Sequence, residues 1–395
     1  MTEKRKAALA ALLGLAFVAF CYLALCWALG LRILDHSPYD SYTLQAMLWR
    51  QGRVSMTENR PWLELAVYGG EYYISFPPFP TLVMLPLTFL FGEDTPSQLV
   101  SFSCVLLSYL FGFFTARRRG VSPFPSAFMG AFLVLGCNLC EYGLYGGVWN
   151  VAQSMAFCLT CAAFCFVSRS TRPGVYLGLI CIACAVGCRP FQALYVPLLL
   201  LLSFRSLGLK RLLPALAVPA LIALALAAYN YIRFSNPLQF GHDYLPEFAQ
   251  QSEYGQFSLH YVPRNLKNIL RLPWLESGRL TFPVAYGFAF WLCNPLFPLF
   301  LVSFSAAVIR GDVSAPDWTL LFTLLIHFFL LLMHRSFGGV QFGTRYLCDL
   351  IPAMYFCWAR PLPSRPAKIA ASSVCAFAIL FNLYGAWYFH ILIGG

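Results

Sequence analysis

The segment Asp35-His-Ser-Pro-Tyr-Asp40-Ser-Tyr-Thr-Leu-Gln-Ala-Met-Leu-Trp-Arg-Gln-Gly52 follows closely on the apolar run Ala7–Leu31. The run is too long for a signal-peptide core and long enough to cross a bilayer, so we predict a retained first membrane helix. The polar segment belongs to a loop, residues 32–97, that carries seven carboxylates in a chain with only 11% charged residues. Acids gathered in one loop beside a membrane helix indicate that chemistry takes place there.

Apolar runs of about 20 residues recur along the sequence, and 59% of all residues are hydrophobic, with a mean hydropathy of +0.66. This pattern predicts an all-α polytopic membrane protein that forms one domain over residues 1–395, because a membrane β-barrel would show short alternating segments. Cytoplasmic lysines and arginines explain the net charge of +11 in such a protein. We therefore expect membrane lipids as partners and no nucleic acid.

The distribution of lysine and arginine predicts about eleven membrane spans with a cytoplasmic amino terminus. In this topology the cytoplasmic segments hold 15 basic residues and 3 acids, whereas the outer segments hold 12 and 13. Two long loops, residues 32–97 and 233–283, then lie outside. Because acids, aromatics and prolines concentrate in these loops, we expect the active face of a cytoplasmic (inner) membrane protein on its periplasmic or extracellular side.

Two short helices are predicted in the first outer loop. Leu44, Met47 and Leu48 recur at helical spacing, which predicts an amphipathic helix at the membrane surface with Asp40 at its amino-terminal cap. The apolar run 79–91 falls short of the ~20 residues that a span requires, so we interpret it as an interfacial or re-entrant segment. At this point Asp40 is equally a helix cap and a candidate catalytic carboxylate.

Further acidic and aromatic candidates lie in the outer segments. Glu71 and Tyr73 precede a cluster of prolines, in a stretch that is either a hinge or a wall of an active cleft. Glu141 stands in a short connection between spans, where a carboxylate needs a partner or water. We predict Glu141 as a second acidic site residue; the alternative is a solvated helix end.

Histidine and arginine candidates lie in two later outer segments. His242 has Asp243 and Glu247 nearby, a set that could bind a divalent metal although its spacing matches no tight ligand pattern. The glycine-containing stretch from Arg335 to Arg345 offers guanidinium groups that suit a lipid phosphate. The alternative for these arginines is contact with ordinary headgroups.

These blocks, taken in order, resemble the GT-C superfamily of membrane glycosyltransferases, in particular its bacterial family 39-like (protein O-mannosyltransferase-like) branch. The resemblance is carried by four stretches: Tyr39-Asp-Ser-Tyr42, Tyr72-Tyr-Ile-Ser-Phe-Pro-Pro-Phe-Pro80, Asn236-Pro-Leu-Gln-Phe-Gly241 and Gln341-Phe-Gly-Thr-Arg345. It covers residues from about 7 to 360. The resemblance implies transfer of a sugar, usually with inversion, from a polyprenyl-phosphate donor to a glycan, lipid or protein acceptor outside the membrane.

The resemblance also implies roles for individual residues. Asp40 stands at the position of the general base that accepts the proton of the acceptor hydroxyl. Arg345, with Arg335 or Arg189 as alternatives, would hold the leaving phosphate. Many members have a second acid next to this aspartate, whereas Ser41 follows it here, so no cofactor is assigned and use of a divalent metal stays open.

Two other classes of protein compete with this interpretation. A transporter or flippase of a lipid-linked glycan is the main alternative, and it would favour internal repeats and charges in the middle of spans. The sequence shows no clear internal repeat and its spans are nearly free of charge. A purely structural membrane subunit is the third class, and it would not need outer loops so uneven in length and acidity.

Overall fold

The computed structural model describes residues 2–393 and is built mainly of helices. The first half of the chain contains α1 (Glu3–Ala28), α2 (Ser41–Arg50), α3 (Phe79–Phe91), α4 (Ser97–Arg118), α5 (Pro123–Leu135), α6 (Leu139–Tyr142), α7 (Val148–Val167), α8 (Arg172–Val186) and α9 (Val196–Leu207). The second half contains α10 (Leu209–Ala215), α11 (Ala217–Phe234), α12 (Pro246–Ala249), α13 (Val262–Leu270), α14 (Phe290–Cys293), α15 (Leu296–Arg310), α16 (Ala315–Leu332), α17 (Ile351–Trp358) and α18 (Arg365–Leu392). Two antiparallel hairpins pair β1 (Leu65–Tyr68) with β2 (Glu71–Ile74) and β3 (Trp274–Glu276) with β4 (Arg279–Thr281). Short 3₁₀ turns precede α9 and α17, at Pro190–Tyr195 and Arg345–Leu350.

Within residues 2–393, seven helical stretches are long and apolar enough to cross a membrane: α1, α4, α7, Pro190–Leu207, Leu209–Phe234, α16 and α18. Three shorter apolar helices are α5, α8 and α15. The prediction of an all-α polytopic membrane protein is therefore confirmed. The count of eleven spans stays a prediction, because the predicted span over residues 347–359 corresponds to the short segment Arg345–Trp358.

The loop over residues 32–97 contains both predicted helices. Asp40 is the N-cap of α2. Helix α3 covers the 13 residues of the short apolar run 79–91, with Pro80 in its first turn. The guanidinium of Arg50 at the end of α2 donates a 2.6 Å hydrogen bond to the carbonyl of Thr88 in α3. The two helices are thereby joined into one unit, which we call the platform (α2 and α3).

One helix begins later than its apolar sequence predicts. The apolar run over residues 285–309 predicts a single membrane span, but α15 begins at Leu296, directly after Asn294 and Pro295. A proline lacks the backbone N–H that a helix interior requires, so it favours the first turn of a helix. The preceding residues instead contain α14, and the β3–β4 hairpin lies upstream in the second outer loop.

Close helix packing forms the centre of the bundle. Tyr109 of α4 is fully buried and donates a 2.9 Å hydrogen bond to the carbonyl of Ala11 in α1. Gly130 of α5 lies against the same turn of α4, and a Cβ there would be 3.1 Å from the Tyr109 carbonyl oxygen. A small residue at this position therefore lets α4 and α5 approach closely, as is common where membrane helices pack.

Ion pairs and hydrogen bonds group the helix ends into two sets. At one end of the bundle, Arg117 contacts Glu3 at 2.9 Å. At the other end, the Tyr145 hydroxyl contacts His390 Nδ1 at 2.9 Å. These groupings join residues that the charge pattern predicts on the same side of the membrane. Which end faces the cytoplasm stays a prediction.

Candidate active site

A cavity of about 270 Å³ lies where five segments of the chain meet. These segments are the stretch before α3, the start of α7, the connection between α8 and α9, the loop after α11 and the connection between α16 and α17. Aromatic rings form much of its wall: Phe76, Trp149, Phe191, Phe240, Phe257 and Tyr346. Its charged and polar lining consists of Arg189, Gln239, His242, Asp243, Gln256, His334, Arg345 and Asp349. The cavity thus combines apolar ring faces with two guanidinium groups.

A buried ion pair forms one side of the cavity. Arg189 Nε lies 2.7 Å from Asp349 Oδ2, and the Asp349 side chain is fully buried. Asp349 also accepts a hydrogen bond from the Gln153 side-chain amide, and its backbone carbonyl accepts one from the Tyr195 hydroxyl at 3.0 Å. Burial alone would lower the pKa of Arg189, but the Asp349 carboxylate outweighs it and the pKa is raised. This guanidinium is therefore charged and fixed in place.

Arg345 also lines the cavity, and among the described residues no carboxylate pairs with it. Its backbone N–H donates to Gln341 Oε1 at 2.7 Å, which fixes the start of the 3₁₀ turn before α17. Among the described residues, its guanidinium donates one hydrogen bond, to the Gly338 carbonyl at 3.2 Å, and it makes no ion pair. An arginine placed in this way can bind a phosphate oxygen through its remaining N–H groups.

Asp40 is buried at the start of the platform and does not line the cavity. Its Oδ1 accepts from the backbone N–H groups of Tyr42 and Thr43 at 3.0 and 3.2 Å, and its Oδ2 accepts from the Thr43 hydroxyl at 2.5 Å. Burial raises the pKa of Asp40 to about 6, against the effects of these hydrogen bonds and of His36 at 4.0 Å. The helix-cap role is therefore present in the structure, and the carboxylate is ionised at neutral pH.

Aromatic contacts connect Asp40 to the cavity wall. The neighbouring Tyr39 ring packs on Trp149 with 5.9 Å between ring centroids, and Tyr42 packs edge-on against Phe76 at 6.4 Å. The Tyr39 carbonyl also accepts a 2.9 Å hydrogen bond from the backbone N–H of Val148. Residues next to Asp40 in the sequence therefore contact two residues of the cavity wall, Trp149 and Phe76.

Glu141 is buried in the connection between α5 and α7 and also lies outside the cavity lining. Among residues 2–393, its Oε2 atom has no hydrogen-bond partner. Burial raises the pKa of Glu141 to about 8, and the charge of Arg345 opposes that shift only partly. The group is therefore mostly protonated at neutral pH and is better suited to donate a proton than to accept one. The alternative of a solvated helix end does not apply to this buried side chain.

The remaining predicted site residues divide into two groups. His242 lines the cavity, and burial lowers its pKa to about 4, so that the imidazole is neutral. Glu71 accepts a 3.2 Å hydrogen bond from Tyr73 on the β1–β2 hairpin, and Arg335 forms a 2.9 Å ion pair with Glu247. Neither the hairpin pair nor Arg335 contributes to the cavity wall. Their proposed roles in substrate binding gain no support from this geometry.

Three cavity-associated residues escaped the sequence prediction. Asp349 lies at the start of a predicted span, and an acid within an apolar run was the available signal for it. Glu64, one of the loop acids, accepts a 3.1 Å hydrogen bond from Trp149 Nε1, and burial raises its pKa. His334 also lines the cavity, and no local pattern in the sequence marks it out.

The residues near the cavity do not fit a divalent-metal site. Within residues 2–393, no three His, Cys, Asp or Glu side chains converge in a ligating arrangement. The Asp40 oxygens are engaged by the start of α2, and Asp349 is paired with Arg189.

Comparison with known proteins identifies the fold. No protein-family profile matches the sequence, and no curated protein sequence matches it. Among solved structures, ArnT from Cupriavidus metallidurans bound to undecaprenyl phosphate matches with a TM-score of 0.52 at 15% identity, over 88% of this chain and 59% of that one. The oligosaccharyltransferase of Archaeoglobus fulgidus in its apo form matches with a TM-score of 0.58 at 15% identity, over 96% and 56%. AglB from the same organism, in complex with an inhibitory peptide and a dolichol-phosphate, gives a TM-score of 0.57 at 13% identity, over 95% and 55%.

These similarities show that the chain has the same fold as these ArnT and oligosaccharyltransferase structures, whereas membership of the GT-C superfamily stays a prediction from the sequence. The chain spans a little more than half the length of each of these proteins. The family 39-like branch stays a prediction from the sequence.

Proposed function

We propose that this protein transfers a sugar from a polyprenyl-phosphate-linked donor to an acceptor hydroxyl at the outer face of the cytoplasmic membrane. The observation that carries the proposal is the cavity itself, in which Arg189 and Arg345 stand among aromatic rings next to the platform. Apolar walls with a few fixed polar groups are typical of a small-molecule site. The two guanidinium groups suit a ligand that combines a sugar with a phosphate.

Structural relatives support the choice of donor. ArnT has been captured with undecaprenyl phosphate, and AglB with a dolichol-phosphate. Both ligands are polyprenyl phosphates, which is the leaving group that the proposed reaction would release. The family 39-like branch, the identity of the sugar and the class of acceptor also belong to the proposal.

The reaction that we propose is a displacement at the anomeric carbon of the donor sugar. The acceptor oxygen forms a bond to this carbon while its proton passes to a carboxylate, and the bond to the phosphate oxygen breaks. The electron pair of that bond leaves on the phosphate, which gains negative charge. Arg345 is placed to stabilise this charge, because no carboxylate of the described residues compensates its own charge, whereas Arg189 is paired with Asp349.

Asp40 is the proposed general base. A pKa of about 6 keeps the carboxylate ionised at neutral pH and close to the working pH, which favours proton acceptance. Asp40 lies outside the cavity lining, so binding of the acceptor would have to bring the carboxylate and the acceptor hydroxyl together. Hydrogen bonds of catalytic groups are often looser or differently arranged before substrate binds.

The test is glycosyl transfer in membranes supplied with a polyprenyl-phosphate sugar. Asn is nearly as good an N-cap as Asp, so Asp40→Asn keeps α2 capped while it removes the proton acceptor. We expect transfer to fall at least about 100-fold in this variant. Asp35→Asn is the matched control, because Asp35 is exposed in the same loop. Wild-type transfer by Asp40→Asn at normal expression would disprove the proposed base, and absence of transfer by the wild-type protein with any such donor would count against the function.

A further inference from the structure

A second cavity lies at the opposite end of the bundle from the candidate active site. The first cavity includes Trp149 at the start of α7, whereas the second, of about 470 Å³, includes Val167 at its end. At 1.5 Å per helical residue these positions are roughly 27 Å apart along the helix. The second cavity therefore cannot be part of the site already described. We call it the basic cavity after its arginines, Arg118, Arg119 and Arg360.

The three arginines of the basic cavity differ in the hydrogen bonds that their guanidinium groups make. Arg118 donates to the Cys165 carbonyl, and Arg360 donates to Asp317 Oδ1 at 2.7 Å. Among residues 2–393, the Arg119 guanidinium makes no hydrogen bond and no ion pair, although its Nε is shielded from solvent. Its guanidinium instead stacks on the Phe356 ring at 4.6 Å from the ring centroid. Arg119 is thus held in position with its donors unused.

The charge balance of this cavity favours an anion. Arg119 and Arg360 both line this cavity, and their positive charges repel each other. Among the described residues, Asp317 is the carboxylate that attracts the Arg119 guanidinium. Asp317 is itself bonded to Arg360 and to the Ser314 hydroxyl. Like charges brought together with unused donors gain most from a ligand that carries negative charge and several acceptor oxygens.

We propose that the basic cavity binds the phosphate group of an anionic phospholipid from the leaflet at this end of the bundle. The phosphate oxygens would accept from Arg119, with Arg360 contributing charge. Apolar side chains of Val167, Leu202 and Phe356 lie in the same wall, next to the arginines, where they can contact acyl chains. Basic pockets between membrane helices are a recurrent binding place for such headgroups.

Arg119 provides a clean test, since its removal breaks no hydrogen bond with another described residue. Purified full-length protein is incubated in detergent with phosphatidylglycerol or with phosphatidylcholine, and retained lipid is counted by native mass spectrometry. We expect preferential retention of phosphatidylglycerol, a loss of about tenfold in Arg119→Gln and a smaller loss in Arg119→Lys, which keeps the charge but not the planar fork. Arg205→Gln is the matched control, because Arg205 is exposed and outside the cavity lining.

The outcomes separate lipid from free phosphate as the source of the ligand. Equal retention of both lipids, or unchanged retention in Arg119→Gln with an unaltered thermal unfolding profile, would overturn the proposal. A second arm measures thermal stabilisation by inorganic phosphate without added lipid. Stabilisation that depends on Arg119, together with no preference for phosphatidylglycerol, would reject the lipid as the ligand and assign the cavity to free phosphate.

Discussion

Arg189 and Asp349 form a buried ion pair, with 2.7 Å between Nε and Oδ2, although 160 positions separate them in the sequence. The pair joins the end of α8 to the 3₁₀ turn before α17 and borders the candidate active site. The Asp349 side chain is fully buried and that of Arg189 is 19% exposed, so removing Asp349 leaves a mostly buried guanidinium charge without its partner. We expect Asp349→Ala to lower the free energy of unfolding by about 3–5 kcal/mol, measured by denaturant unfolding in detergent.

The exposed pair of Arg310 and Asp312 supplies the control for this prediction. Its side chains are 53% and 62% exposed at an Nε–Oδ2 distance of 2.8 Å. Exposed pairs contribute little, so Asp312→Ala should change stability by less than about 1 kcal/mol. An equal effect of Asp349→Ala and Asp312→Ala would contradict a buried pair at the cavity.

Substitutions of Arg345 and Arg335 should differ in their effects on sugar transfer. Arg345 lines the cavity with unused donors, whereas Arg335 is paired with Glu247 outside it. Under the proposed function, Arg345→Ala should reduce kcat/KM for the polyprenyl-phosphate donor by about 100-fold, because it removes a donor to the developing charge. Arg335→Ala should change it by less than about tenfold. Steady-state kinetics with donor varied would decide, and a larger loss in Arg335→Ala would shift the phosphate site to that residue.

The local structure was more predictable from the sequence than the site. The helical spacing of apolar residues after Asp40 predicted α2, and the short apolar run 79–91 predicted α3. Each pattern arises within a single helix that lies against one surface, so neighbouring residues are enough to recognise it. His242 and Arg345 were predicted as site residues and do line the cavity. Asp349 was missed, since its importance depends on a partner 160 positions away.

The predicted residues that fall outside the cavity show why sequence patterns overreached. Glu71 and Tyr73 lie in a glycine- and proline-rich stretch that also encodes a hairpin turn, with Gly69 and Gly70 at φ values of 59° and 81°. The aromatic and acidic residues there bond to each other. Composition alone cannot distinguish a turn of this kind from the wall of a cleft, because both use the same residue types.

From the raised pKa of Asp40 we expect opposite pH dependences for sugar transfer and for the stability of the folded protein. Its pKa is about 6 in the folded protein, compared with an ordinary value of 3.8. As a general base it must be ionised, so transfer should decline as the pH falls below about 6. The folded state binds the proton of the Asp40 carboxyl group more tightly than the unfolded state does. Protonation of Asp40 therefore stabilises the folded protein below pH 3.8, and this stabilisation is lost as the pH rises through about 6.

The pH prediction is checked with kcat/KM profiles and thermal unfolding between pH 4 and 8. Asp40→Asn should remove this contribution from the unfolding profile, while Asp35→Asn should leave both profiles as in the wild type. An acidic limb of kcat/KM near pH 4 in the wild-type protein would instead point to a carboxylate with an ordinary pKa.

Gly343 and Gly339 differ in their surroundings although both have left-handed backbone, with φ values of 65° and 64°. A Cβ at Gly343 would lie 2.2 Å from Asn138 Nδ2 and 2.7 Å from Cys293 Sγ, whereas a Cβ at Gly339 would meet nothing within 4 Å. Gly339→Ala should therefore cost only the ~1–2 kcal/mol of the backbone conformation.

Gly343→Ala should add a further 1–3 kcal/mol or so, because it also displaces well-packed neighbours. Asn138 is one of these neighbours, and its side-chain amide donates to the Phe342 carbonyl at 2.7 Å. Displacing it would disturb the backbone that leads to Arg345, so the variant should lose transfer as well as stability. Unfolding in detergent compares the two alanines directly, and equal costs would mean that the close approach at Gly343 does not exist in the protein in solution.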